Sequence, residues 1–117
     1  DLAVVDVSFI SLMLVLAVVK TLLHPRGEII ALIKPQFEAG RAQVGKGGIV
    51  REARVHRAVI EKIAQHAAEI ELRVRGVCRS PLQGADGNVE FFMHLSADRL
   101  LEGAEMGREI DRAVTQE

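Results

Sequence analysis

The sequence predicts an α/β fold, a doubly wound and mostly parallel sheet with an antiparallel last strand. Three observations carry this prediction. Two apolar runs of strand length each close on a charged residue: Leu2-Ala3-Val4-Val5 on Asp6, and Glu28–Ile33 on Lys34. A helix-sized apolar segment lies between them, so the unit reads strand, helix, strand. Near the C-terminus two further strand patterns flank a turn signal, Asp86-Gly87-Asn88, close enough in sequence to pair antiparallel.

Taken in order, Leu2–Asp6 has the near-continuous apolar character of a strand covered on both faces. Ser11 is a plausible N-cap for a helix over Leu12–Leu23, since its hydroxyl can accept from an orphan amide of the first turn. That helix is apolar nearly all round, which predicts burial or an absent partner. His24-Pro25-Arg26-Gly27 stops it, and Glu28–Ile33 is the second buried strand. From Pro35 to Val50 no periodicity survives, and Gly40, Gly45, Gly47 and Gly48 predict a long loop that acts as a lid. Val55, Val59, Ile63, Ala67 and Ile70 recur at helical spacing and predict an amphipathic helix over Ala53–Ile70. Leu72–Cys78 alternates like a strand, Val89–Leu95 is the returning strand, and Ala97–Thr115 carries a weaker helical pattern interrupted by Gly103 and Gly107. Cys78 and the adjacent Phe91 and Phe92 are expected in the core.

Composition bounds the function classes. The 117 residues are 49% hydrophobic with no Trp or Tyr and four Phe, so aliphatic side chains must fill one core. Fifteen basic against 16 acidic residues give a net charge of −1, with no global attraction to nucleic acid or membrane. A single cysteine excludes an internal disulfide and a cysteine-rich metal site, and fits a reducing cytoplasmic interior. His24, His56, His66 and His94 show no metal-ligand spacing and are expected at surfaces or helix ends. The longest uncharged run in the first helix region, Val7 to Val19, falls short of the roughly 20 residues a membrane span needs, so no membrane segment is expected. The chain opens on a strand at Asp1 without initiator Met or leader, and is expected to be a piece of a longer protein.

The predicted topology brings distant charges together. Three parallel strands place Asp6, Lys34 and the Ser80 region at one edge, and a strand returning from there begins with Asn88 and Glu90. Ligands of open parallel sheets bind at the carboxyl ends of the strands. A lysine among carboxylates at such an edge can accept a proton when neutral, or stabilise a developing oxyanion when charged. An ion pair that merely stitches neighbouring strands explains Asp6 and Lys34 as well, and a structural pair with an arginine explains Glu90. Arg41, Lys46, Arg51, Arg54 and Arg57 give the loop and following helix a local positive excess, read either as phosphate contacts or as a solvated face.

Four strings then carry a resemblance: Asp1-Leu-Ala-Val-Val-Asp-Val-Ser-Phe-Ile-Ser-Leu12, Ala31-Leu-Ile-Lys-Pro-Gln-Phe-Glu-Ala-Gly-Arg41, Val44-Gly-Lys-Gly-Gly-Ile-Val-Arg51 and Gly87-Asn-Val-Glu-Phe-Phe92. Over about residues 1–96 the chain resembles the hemolysin A (TlyA) family of FtsJ-like ribosomal RNA 2′-O-methyltransferases. The resemblance implies a Rossmann-like class I methyltransferase fold with its N-terminal half missing. Residues 1–96 would be the C-terminal half of the methyltransferase domain, and 97–117 a C-terminal helix. It maps three members of the family's Lys-Asp-Lys-Glu tetrad onto Asp6, Lys34 and Glu90 as catalytic residues. It implies S-adenosyl-L-methionine as cofactor, with Asp6, Val7 and Ser8 at its site, and ribosomal RNA as partner, with Arg41, Lys46 and Arg51 as contacts. The family's first lysine, glycine-rich cofactor loop and S4-type RNA-binding domain would precede residue 1, so the fragment is expected to be inactive alone. Two readings from other classes stay open: a hemolysin-like membrane-active or cytolytic protein, and a catalytically dead RNA-binding module. A homodimer across any uncovered apolar surface also stays open.

Overall fold

The computed structural model describes residues 1–7, 11–40, 44, 48–84, 87–98 and 105–115. Eight elements follow one another: β1 (Leu2–Val5), α1 (Leu12–Leu22), β2 (Glu28–Ile33), α2 (Pro35–Glu38), α3 (Ala53–Glu69), β3 (Arg73–Arg79), β4 (Phe91–Ser96) and α4 (Met106–Thr115). The four strands form one sheet in the order β1-β2-β4-β3. β1 and β2 are parallel, and β4 runs antiparallel to both β2 and β3. The returning strand thus inserts between β2 and β3, and β1, β2 and β3 share one direction. This mixed α/β architecture is the one expected.

One face of the sheet is a closed core. Ile29, Ala31 and Ile33 of β2 stand opposite Leu95, Met93 and Phe91 of β4, and all six are fully buried. Leu12 and Leu16 of α1 join them with Val55, Val59, Ile60 and Ile63 of α3. The period of 2 in the strands and of 3.6 in the helices aims these residues inward. Ser11 caps α1 as expected, its Oγ accepting from the amide of Met13 at 3.2 Å. On the other face Ile30, Leu32, Phe92 and His94 are only half-buried. α4 runs alongside β3, where Arg79 donates to the carbonyls of Ala113 (3.3 Å) and Val114 (2.6 Å).

Several expectations need correction. The segment after Lys34 is not structureless but starts with α2, because Pro35 at its first position has the fixed φ and missing amide that suit a helix start. β3 and β4 begin and end one or two residues later than the alternation predicted. The last helix begins at Met106, nine residues after Ala97, and residues 99–104 between lie outside the described residues. Cys78 is exposed rather than buried. A register shift between Val74 and Gly76 inserts one residue into β3, which turns the following positions over. Phe91 is in the core, whereas Phe92 faces the half-open side. His56 lies at a helix end, in the first turn of α3, but is buried there. Of the lid expected over 35–50, residues 41–43 and 45–47 lie outside the described residues.

Candidate active site

The carboxyl ends of β1 and β2 carry the first part of the site. Lys34 follows β2 and is the N-cap of α2, with extended backbone at φ −113° and ψ 96°. A proline at the next position disfavours helical backbone there, so Pro35 holds Lys34 at the strand-to-helix corner. Its ammonium lies 2.7 Å from Oδ1 of Asp6, the residue after β1. The lysine side chain is 16% exposed and that of Asp6 58%, so the pair lies at the rim with its carboxylate outward. At this distance the contact is a charge-assisted hydrogen bond.

Glu90 precedes β4 on the other side of β2. Because Ile33 is registered with Phe91, Glu90 stands one step beyond, beside Lys34. Its carbonyl accepts from the amide of Ser80 at 2.8 Å, which places it between the ends of β2 and β3. The residue is only 7% exposed. Nε2 of Gln36 donates to its Oε2 at 2.9 Å. Gly84 packs so closely that a Cβ there would lie 1.9 Å from that same oxygen, so the carboxylate occupies the space of a missing side chain.

Two anchors frame these groups. Glu38, the last residue of α2, accepts at Oε1 from the amide of Leu12 (2.6 Å) and at Oε2 from the hydroxyl of Ser11 (3.0 Å). A carboxylate at a helix N-terminus meets both orphan amides and the positive end of the dipole. Asn88 is 2% exposed; its Oδ1 accepts from the amide of Val50 (2.9 Å) and its Nδ2 donates to the carbonyl of Gly48 (3.0 Å). His56 Nε2 donates to the carbonyl of Val50 at 3.0 Å. Burial lowers the His56 pKa, against the bond to Val50 that raises it, and the Arg79 charge lowers it further.

Of the residues predicted from sequence, Asp6 and Lys34 meet directly and Glu90 stands at the same rim. Val7 is half-buried beside Asp6, and Arg51 is exposed at the start of the segment leading to α3. Ser8, Arg41 and Lys46 lie outside the described residues. Arg54 and Arg57 of the positive stretch are paired with Glu52 and Asp111. Sequence reading missed Gln36 and Glu38, although both stand in a string it singled out. Pro35 directly after a strand-ending lysine was the available signal, since it starts the helix that orients both.

Comparison with known proteins gives this arrangement its context. Residues 1–97 match the family model of the FtsJ-like methyltransferases. A Bacillus subtilis protein named as a candidate rRNA methyltransferase, YqxC, is 50% identical over 95 residues, spanning 81% of this chain and 34% of that protein. The 16S/23S rRNA (cytidine-2′-O)-methyltransferase TlyA of Mycobacterium tuberculosis is 38% identical over 118 residues, spanning 99% of this chain and 44% of TlyA. Among solved structures, a candidate hemolysin from Streptococcus thermophilus superposes with a TM-score of 0.90 at 42% identity, over 98% of this chain and 41% of that one. The chain therefore spans about a third to under a half of the length of these relatives. With a match running from β1 through β4, the chain belongs to the FtsJ-like methyltransferase family.

Proposed function

We propose that this chain is the C-terminal part of the catalytic domain of a cytoplasmic enzyme that methylates ribose 2′-hydroxyls of ribosomal RNA. The observation that carries the reading is the 2.7 Å contact of Lys34 with Asp6 at the carboxyl edge of the sheet, beside the buried Glu90. An ion pair needed only to join strands gains little where one partner is more than half exposed, whereas an edge that receives ligands uses both charges. The relatives' names, rRNA methyltransferase among them, supply the substrate class.

Lys34 activates the attacking hydroxyl. In its neutral form it accepts the proton, and in its charged form it stabilises the oxyanion that develops as the proton leaves. Asp6 holds the lysine nitrogen in place and presents its outward oxygen to the incoming ribose and methyl donor. Glu90 fixes the network from the closed side. S-adenosyl-L-methionine supplies the methyl group when bound, and its cationic sulfonium suits the exposed carboxylate of Asp6, with Val7 and Ser8 alongside. Arg41, Lys46 and Arg51 contact RNA phosphates, an attraction that weakens with salt.

The donor set for that cofactor is partial among the described residues, which provide the carboxylate edge. We expect the isolated 117 residues to bind S-adenosyl-L-methionine weakly or not at all, and to be inactive alone; calorimetry returning a micromolar Kd for them would overturn this. In the complete protein, Lys34→Ala and Asp6→Ala should each slow methyl transfer to ribosomal RNA by at least about tenfold, the usual scale for losing a proton-transfer group. If neither does, the catalytic assignment is wrong and a binding module without chemistry is the better reading. Among the described residues no helix is long and apolar enough to cross a membrane, and α1, the most apolar, has 11 residues.

A further inference from the structure

Among the described residues one buried side-chain polar atom lacks a hydrogen-bond partner, Oε1 of Gln36. Its sister atom Nε2 makes the 2.9 Å bond to Glu90. We propose that Gln36 is a positioning residue: its amide N–H, acting against the bare Cα of Gly84, sets where the Glu90 carboxylate sits at the rim. The proposal rests on the reading above that Glu90 takes part in methyl transfer.

The orphan acceptor is the first reason. A buried oxygen without a donor costs stability, and the same amide spends its N–H on the Glu90 carboxylate. A group that costs stability and touches a candidate catalytic carboxylate is better explained by what it does there than by packing. The amide's orientation is the second. Exchanging its oxygen and nitrogen would bring two oxygens to 2.9 Å and still leave one buried atom unpaired, so the carboxylate itself dictates that the N–H faces it.

The third reason is how rigidly Gln36 is held. It occupies the second position of α2, directly after Pro35. The helix is tied at its far end by both oxygens of Glu38 to the start of α1. The four residues of α2 thus form a bracket that Lys34 leads into, in which Gln36 reaches Glu90 and Glu38 reaches α1. A Cβ at Gly84 would overlap the same oxygen, Glu90 Oε2, and its Cδ. The carboxylate therefore has a donor at Oε2 and fills the space that a side chain at position 84 would need, so a Cβ there would displace it.

The test uses the complete protein and measures steady-state methyl transfer from S-adenosyl-L-methionine to ribosomal RNA, together with thermal unfolding. Gln36→Met, which keeps the volume and removes the donor, should lower kcat about tenfold with KM for RNA changed less than about twofold, as expected for an interaction used in the transition state. Its unfolding midpoint should be unchanged or lower, because the substitution removes the orphan oxygen of Gln36 but leaves the buried Glu90 carboxylate without that donor. Gly84→Ala, whose Cβ displaces the carboxylate, should lower kcat similarly. In a Glu90→Ala background neither substitution should slow the reaction further by more than about twofold, the non-additivity of residues acting through one group. Equal fold-losses with and without the Glu90 carboxylate would overturn the positioning role. Glu90→Ala alone leaving kcat unchanged would instead sink the catalytic reading of Glu90, and the proposal with it.

Discussion

The half of the sheet around β4 and the flank formed by β1 and α1 differ in how far burial has gone. Around β4, Phe91, Met93 and Leu95 are fully enclosed, with α3 packed over them and α4 beside β3. On the flank, Leu2, Val4, Leu14, Val18 and Leu22 are each more than half exposed, Val4 at 73%. Exposed apolar groups gathered like this mark a surface that meets something else. The candidate site lies on the seam. Asp6 belongs to the open flank and Glu90 to the enclosed half, with Lys34 between them. Two carboxylates at one rim thus have different work: the protein alone holds Glu90, while Asp6 is free on one side to meet what arrives.

Truncating a large side chain on each side should give the largest contrast. Phe91→Ala removes a fully buried ring that His56 meets edge-on at 5.4 Å between centroids and over which the Arg79 guanidinium lies at 5.9 Å. It should cost about 3–5 kcal/mol, the usual range for emptying an aromatic core position. Val4→Ala should stay within about 0.5 kcal/mol, as exposed substitutions do. Urea unfolding of the two variants against the parent chain measures both. A large loss for Val4→Ala would show the flank to be packed in solution, and the contrast between the two regions would fall.

How much of this was legible beforehand follows the same division. Strands and helices whose period is set by burial on one face, such as β2 and α3, could be read directly, and so could the meeting of Asp6, Lys34 and Glu90 at one edge, because chain direction alone decides it. What escaped depended on single tertiary contacts. Cys78 occupies an apolar strand position, yet the extra residue between Val74 and Gly76 reverses the alternation and turns it outward. His56 sits on the inner stripe of α3, one turn before Ile60, but a buried histidine needs a partner, and the Val50 carbonyl comes from a loop without periodicity. Gln36 and Glu38 could be seen as letters in a motif, while their roles as donor to Glu90 and cap of α1 exist only once α2 has formed.

His56 supplies a smaller test of the enclosed half. It is 4% exposed, and its ring is bound at one nitrogen to the loop that Asn88 also holds. Burial lowers its pKa from the usual 6.5, and the Arg79 charge acts in the same direction. Above about pH 6.5 the imidazole is neutral in both the folded and unfolded chains, so its full contribution to stability is present there. Below that pH the unfolded chain binds a proton that the folded chain resists, and stability falls until the folded pKa is reached. The loss should be smaller than that of Phe91→Ala, since the ring and its packing stay in place. Urea midpoints taken between pH 7.5 and 5 should therefore decline more steeply for the parent than for His56→Gln, which keeps an N–H for Val50 but cannot titrate. Equal slopes would mean that this histidine titrates alike in the folded and unfolded chains, and that the interior beside Phe91 is wetter than its geometry shows.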